Sequence, residues 1–169
     1  MTESEKRRDA VMRYLSRPRE CDRIIRRKKE RIRDLRSSLS LQSPALTDMP
    51  NNPSPPASKM EETLVKIFSL EEEIALGEKR KAAIQREMRN DIMKIPDERQ
   101  QVVINAMYIV GLRWNDALNM TGMSRRTMSD ARREAIDRLS DILDEEGRLK
   151  DYEDEDGRWQ YDERGTDAG

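Results

Sequence analysis

The chain has 169 residues, 40% charged and 35% hydrophobic, with one Phe, two Trp and four Tyr, too little apolar material for a thick globular core. No histidine and one cysteine, Cys21, exclude internal disulfides, Cys/His zinc centres and histidine-based catalysis; no candidate catalytic residue, metal ligand or cofactor site emerges. The N-terminus lacks an apolar signal core and no apolar run nears membrane-spanning length, so the chain reads as soluble, cytoplasmic and without a membrane partner.

The net charge of −1 hides a polarity. Residues 1–38 hold 14 basic and 7 acidic side chains, a net of +7. Residues 39–110 carry −2, residues 111–140 carry +2 and residues 141–169 carry −8. The overall acidity therefore argues nothing against a polyanionic partner for the basic segments.

In chain order, residues 1–38 read as basic polar helices with a narrow stripe of Val11, Leu15, Ile25, Ile32, Leu35 and Leu39. Pro18 is expected to divide them, with Ser16 capping a second helix. Residues 39–57 form a proline-rich linker without periodicity. Ser58-Lys59-Met60-Glu61 reads as a capping box that opens a long helix over 58–95. Its stripe, Met60, Leu64, Ile67, Leu70, Ile74, Ile84, Met88, Ile92 and Ile95, is interrupted by a polar gap at Gly77 and Lys81. Steps of three and four suggest a coiled-coil seam, and so narrow a stripe needs a partner. Residues 19–38 folding back, a second copy of the chain, or both would supply it.

Pro96-Asp97 restarts the chain. Val102, Val103, Ala106, Met107 and Ile109 form the apolar side of a helix ending at Gly111. Trp114 to Met120 is a short helix, Thr121-Gly122 turns, and Ser124 caps a last helix from Arg125 to about Asp144. Met128, Ala131, Ala135, Ile136, Leu139, Ile142 and Leu143 give its buried face, and arginines fill its first turns. A short helix, a glycine turn and an arginine-bearing helix have the order of a helix-turn-helix; a plain helical hairpin with solvated arginines has the same spacing. Residues 145–169 are acidic and aperiodic and read as a disordered tail. The fold class is all-α: a long helical, coiled-coil-like hairpin, a trihelical unit over 96–144 separable at Ile95-Pro96, and the tail.

Residues 95–139, IPDERQQVVINAMYIVGLRWNDALNMTGMSRRTMSDARREAIDRL, resemble region four of the sigma-70 family of transcription factors. The shared features are a Pro-Asp-Glu-Arg opening, a Tyr-x-x-Gly step, an aromatic opening the next helix, a Gly-x-Ser turn and an Ala-Ile-x-x-Leu ending. With the charged N-terminal helix and the proline-rich gap, residues 1–143 are similar to phage late-transcription activators of the RinA and ArpU kind. The chain departs from the region-four pattern at Arg132, where an apolar residue is usual, and at Thr121 and Ala117-Leu118. It also has no counterpart of the sigma regions that melt promoter DNA.

The resemblance implies a sequence-specific regulator that binds double-stranded DNA in a bacterial host cell, with host RNA polymerase as a further partner. Arg125, Arg126 and Ser129 are then expected at base edges, since arginine donates twice to guanine. Arg113, Arg132 and Arg133 are expected on phosphates, with Ser124 and Thr127 completing the set at the helix start. A ring-forming phage terminase recognition subunit and a non-catalytic coiled-coil interaction protein share the same sequence grammar.

Overall fold

Pro18 does not divide the first helix: α1 runs unbroken over Glu3–Gln42. A proline lacks the N–H that would bond the carbonyl four residues earlier, here that of Tyr14. The Arg17 side chain replaces it, its Nε donating to the Tyr14 carbonyl at 3.0 Å, and Ser16 Oγ donates to the Arg13 carbonyl at 2.9 Å. Tertiary burial holds the two halves in line, because Val11, Tyr14 and Leu15 before the proline and Cys21 and Ile25 after it are all buried.

The computed structural model describes residues 1–42 and 57–153, and every regular element among them is helical. The second helix, α2, spans Ala57–Met93, so Ser58 lies inside its first turn and not at its cap. The proline-rich stretch at 43–56 lies outside the described residues, and α1 reaches four residues past its expected end at Ser38. No helix among the described residues is long and apolar enough to cross a membrane.

The two long helices run antiparallel. Tyr14 OH donates to Asp91, Arg17 pairs with Glu87 at 3.1 Å, Asp22 with Lys81 at 2.8 Å and Arg36 with Glu71 at 2.7 Å. The polar gap in the α2 stripe now has its reason. A Cβ on Gly77 would come within 3.2 Å of Ile25, so the glycine lets the helices close, and Lys81 answers Asp22.

Beyond Pro96, α3 (Glu98–Ile104) widens into one π-helical turn, Asn105–Ile109, followed by α4 (Trp114–Thr121) and α5 (Arg125–Glu145). Packing is continuous across the expected boundary at Ile95-Pro96. Ile84, Met88 and Ile92 of α2 and Ile95 just beyond it share one core with Val11, Tyr14 and Leu15 of α1, Ile104 of α3, and Ala135, Leu139 and Leu143 of α5. Arg7 adds hydrogen bonds to Ser140, Asp141 and Asp144, and Arg8 donates two hydrogen bonds to Asp137, across the α1–α5 seam. A smaller core of Val103, Ala106, Ala117, Met128 and Ala131 lies under α4 and the start of α5.

The expected tail boundary at 145 also moves. Gly147 N–H bonds the Asp144 carbonyl and Arg148 N–H the Leu143 carbonyl, a Schellman closure with Gly147 at φ 69°. The chain then turns back through a 3₁₀ turn, Leu149–Tyr152, whose Leu149 and Tyr152 are buried in the larger core. Tyr152 meets Tyr14 edge to face at 5.2 Å, and Arg13 donates to its carbonyl at 2.7 Å. Arg148 clasps Asp91 with both terminal nitrogens, at 2.8 and 3.0 Å. Burial pushes the Asp91 carboxyl up, but bonds from Arg148, Tyr14 and Lys94 more than offset it and hold the group below the usual carboxylate range. The acidic residues 154–169 lie outside the described residues.

Candidate nucleic-acid interface

The turn between α4 and α5 is fixed by three adjacent side-chain choices. Gly122 takes φ 67°, a left-handed conformation that costs glycine nothing, and its N–H bonds the Leu118 carbonyl at 3.0 Å. Thr121 Oγ1 accepts from the Met123 N–H at 3.4 Å. Ser124 caps α5 by accepting from the Thr127 N–H at 3.1 Å, while its hydroxyl bonds that of Thr127 at 2.8 Å. Trp114, Leu118 and Met123 pack against the small core, so both helices rest on the same apolar floor.

This floor leaves one side of α5 facing solvent. Arg126, Ser129, Asp130 and Arg133 fall on that side by helical spacing, opposite buried Met128 and Ala135. Arg125 is exposed beside them in the first turn, and Arg113 is exposed at the N-cap of α4. None of the side chains of Arg113, Arg125, Arg126 and Ser129 has a hydrogen bond or ion pair among the described residues. Ser124 and Thr127 are engaged with each other in the cap.

The other two arginines of the expected set are held. Arg133 pairs with Asp130 at 3.1 Å in an exposed i,i+3 bridge, an interaction worth roughly 0.3–0.5 kcal/mol and readily exchanged. Arg132 is half-buried, and its Nε and Nη2 donate to the Tyr108 hydroxyl at 3.0 and 2.9 Å. Tyr108 comes from the π-helical turn and packs against the larger core, where its hydroxyl reaches the Met12 sulfur at 3.7 Å. The extra residue of the π turn splits its side chains between the two cores, Met107 going to the smaller and Tyr108 and Ile109 to the larger. Arg132 therefore acts as a strut between α5 and that turn.

Sequence reasoning missed Tyr108 as a positioning residue. The available signal was Arg132 itself: a cation that helical spacing places beside Met128, Ala135 and Ile136 on the inward side of α5 needs an internal acceptor. The exposed Asn115 and Asn119 of α4 were also passed over; they present amides on the outer side of the first helix of the pair. Compared with protein-family models, with curated proteins and with solved structures, the chain matches none.

Proposed function

We propose that the chain is a sequence-specific DNA-binding transcriptional regulator in which α4, the Gly122 turn and α5 act as a helix-turn-helix on the end of the antiparallel hairpin of α1 and α2. In this reading α5 enters the major groove N-terminus first. Arg125, Arg126 and Ser129 meet base edges, Arg113 and Arg133 meet phosphates, and Arg132 braces the helix from behind. The source is a phage or prophage, the targets are late genes, and host RNA polymerase is the second partner.

One observation carries the reading: the arginines at the start of α5 are exposed and uncommitted, while farther along the helix Arg133 pairs with Asp130 and Arg132, on the inward side, is held by Tyr108. A solvated hairpin face would gain nothing from leaving that particular cluster unpaired. The test is selection of bound fragments from a random duplex pool with the full chain, followed by anisotropy titration of the winner against scrambled DNA at several salt concentrations. A recovered motif bound at least about a thousandfold more tightly than scrambled DNA is expected. No enrichment, with no binding at low salt, would sink the proposal.

A further inference from the structure

Two stripes run along opposite sides of α2. The inner one, including Ile67, Ile74, Gly77, Ile84 and Met88, is occupied by α1 and the larger core. The outer one runs Val65, Phe68, Glu72, Ala75, Lys79 and Ala82, in alternating steps of three and four, and every residue of it is exposed. Such steps are those of a coiled-coil seam. Phe68, the chain's single phenylalanine, is 61% exposed, with Val65 and the flanking Leu76 each at 65%. Scattered exposed apolar residues are ordinary; a row of them at seam spacing on one helix face marks a docking surface.

Charge says what docks there. On the outer side of α2, Glu61, Glu62 and Glu72 occupy the N-terminal half and Lys79, Arg86 and Arg89 the C-terminal half. All six are exposed and none has an ion-pair partner among the described residues. A face acidic at one end and basic at the other is complementary to itself when inverted.

We propose that a second copy of this chain packs on this face, α2 against α2 and antiparallel, about a two-fold axis between Glu72 and Ala75. This register sets Val65 opposite Ala82 and Glu61 opposite Arg86, with Glu72 and Lys79 within one turn of each other across the axis. Phe68 lies over the stem of the partner's Lys79, and the small side chains of Ala75 and Ala82 let the helices approach. A parallel pair would lay acid on acid and base on base. The proposal does not depend on DNA binding and is tested without it.

Sedimentation equilibrium of the full chain should give a dimer. Phe68→Glu should raise the dissociation constant by at least about tenfold while helicity by circular dichroism is unchanged, since Phe68 is largely exposed and belongs to neither core. For orientation, in a Cys21→Ser background Val65→Cys chains mixed with Ala82→Cys chains should form an interchain disulfide, and Val65→Cys alone should not. A monomer at about 100 μM chain, whether the face is bare or covered by the chain's own residues 43–56, would overturn the proposal. So would a dimer indifferent to Phe68→Glu, or a Val65→Cys chain that links to itself and not to Ala82→Cys.

Discussion

The two halves of α5 differ as much as two separate helices. From Ala135 onward its inner side is Ile136, Leu139 and Leu143, buried among residues of α1 and α2, and its outer acids Asp137, Asp141 and Asp144 hold Arg7 and Arg8. From Arg125 to Arg133 its inner side is Met128 and Ala131 on a small alanine- and methionine-rich core, and its outer arginines are largely uncommitted. The anchored half spends its charges on the fold; the presenting half leaves most of its arginines in solvent. An element rooted at one end suits the proposed role of α5, because a binding group must be held in place by the packing around it.

The anchor should fail first where the chain returns to it. Deleting Gly147–Gly169 removes Leu149, Tyr152 and the Arg148 clasp, and full burial of each apolar side chain stabilises by roughly 1.5–3 kcal/mol. The expected loss is on the order of 3–5 kcal/mol in urea unfolding. Deleting only residues 154–169 should change stability by less than about 0.5 kcal/mol, as ordinary surface changes do. Equal stability of the two truncations would show that the 3₁₀ turn is an ornament on α5 and not part of its anchor.

The presenting half should respond in binding and not in stability. Arg125→Ala and Arg126→Ala should each weaken the selected site by roughly 1–3 kcal/mol and relax preference at one base position, with unfolding unchanged. Arg132→Met, in contrast, breaks the bond to Tyr108 and should weaken binding to cognate and random DNA together. An Arg125→Ala chain that loses cognate and random DNA equally would place that arginine on a phosphate.

What the sequence made legible divides along the same line. The Gly122 turn, the Ser124 cap and the arginine-bearing helix follow from neighbouring residues, so local chemistry predicted them. The anchor did not, because its reasons are distant. Pro18 is harmless only because Arg17 bonds the Tyr14 carbonyl and the flanking residues are buried. Leu149 and Tyr152 lie in an acidic, aperiodic stretch, and only the return of the chain onto α1 gives them a core. Ile95-Pro96 looked like a boundary, yet Ile95 is fully buried in the core that spans it. Arg132 and Tyr108 are 24 residues apart, and no periodicity pairs them.

Acid should act on the anchor through Asp91. Asp91 is held below its ordinary range in the folded chain, so the unfolded chain binds the extra proton and stability rises with pH through this group. Its contribution is complete above the unfolded aspartate value, about 4, and fades as pH falls below it toward the lowered folded value. Asp91→Asn should reduce stability at neutral pH and flatten the slope between about pH 5 and 2. An unaltered slope would assign the acid response to other carboxylates.

The smallest effect expected is that of residues 154–169 on the presenting half. They hold six acidic and two basic side chains, a net of −4, covalently attached to a chain whose uncommitted arginines face solvent. Negative charge within reach of those arginines competes with DNA phosphate whatever the base sequence. Deleting residues 154–169 should therefore tighten binding to random DNA by roughly two- to fivefold at low salt and leave the preferred sequence unchanged. The gain should shrink toward none at physiological ionic strength, where exposed charges are screened beyond about 8 Å. Because this deletion spares Leu149 and Tyr152, any change in affinity cannot be charged to a weakened anchor. Random-DNA affinity identical before and after the deletion at low salt would mean that the segment stays out of electrostatic reach of α5.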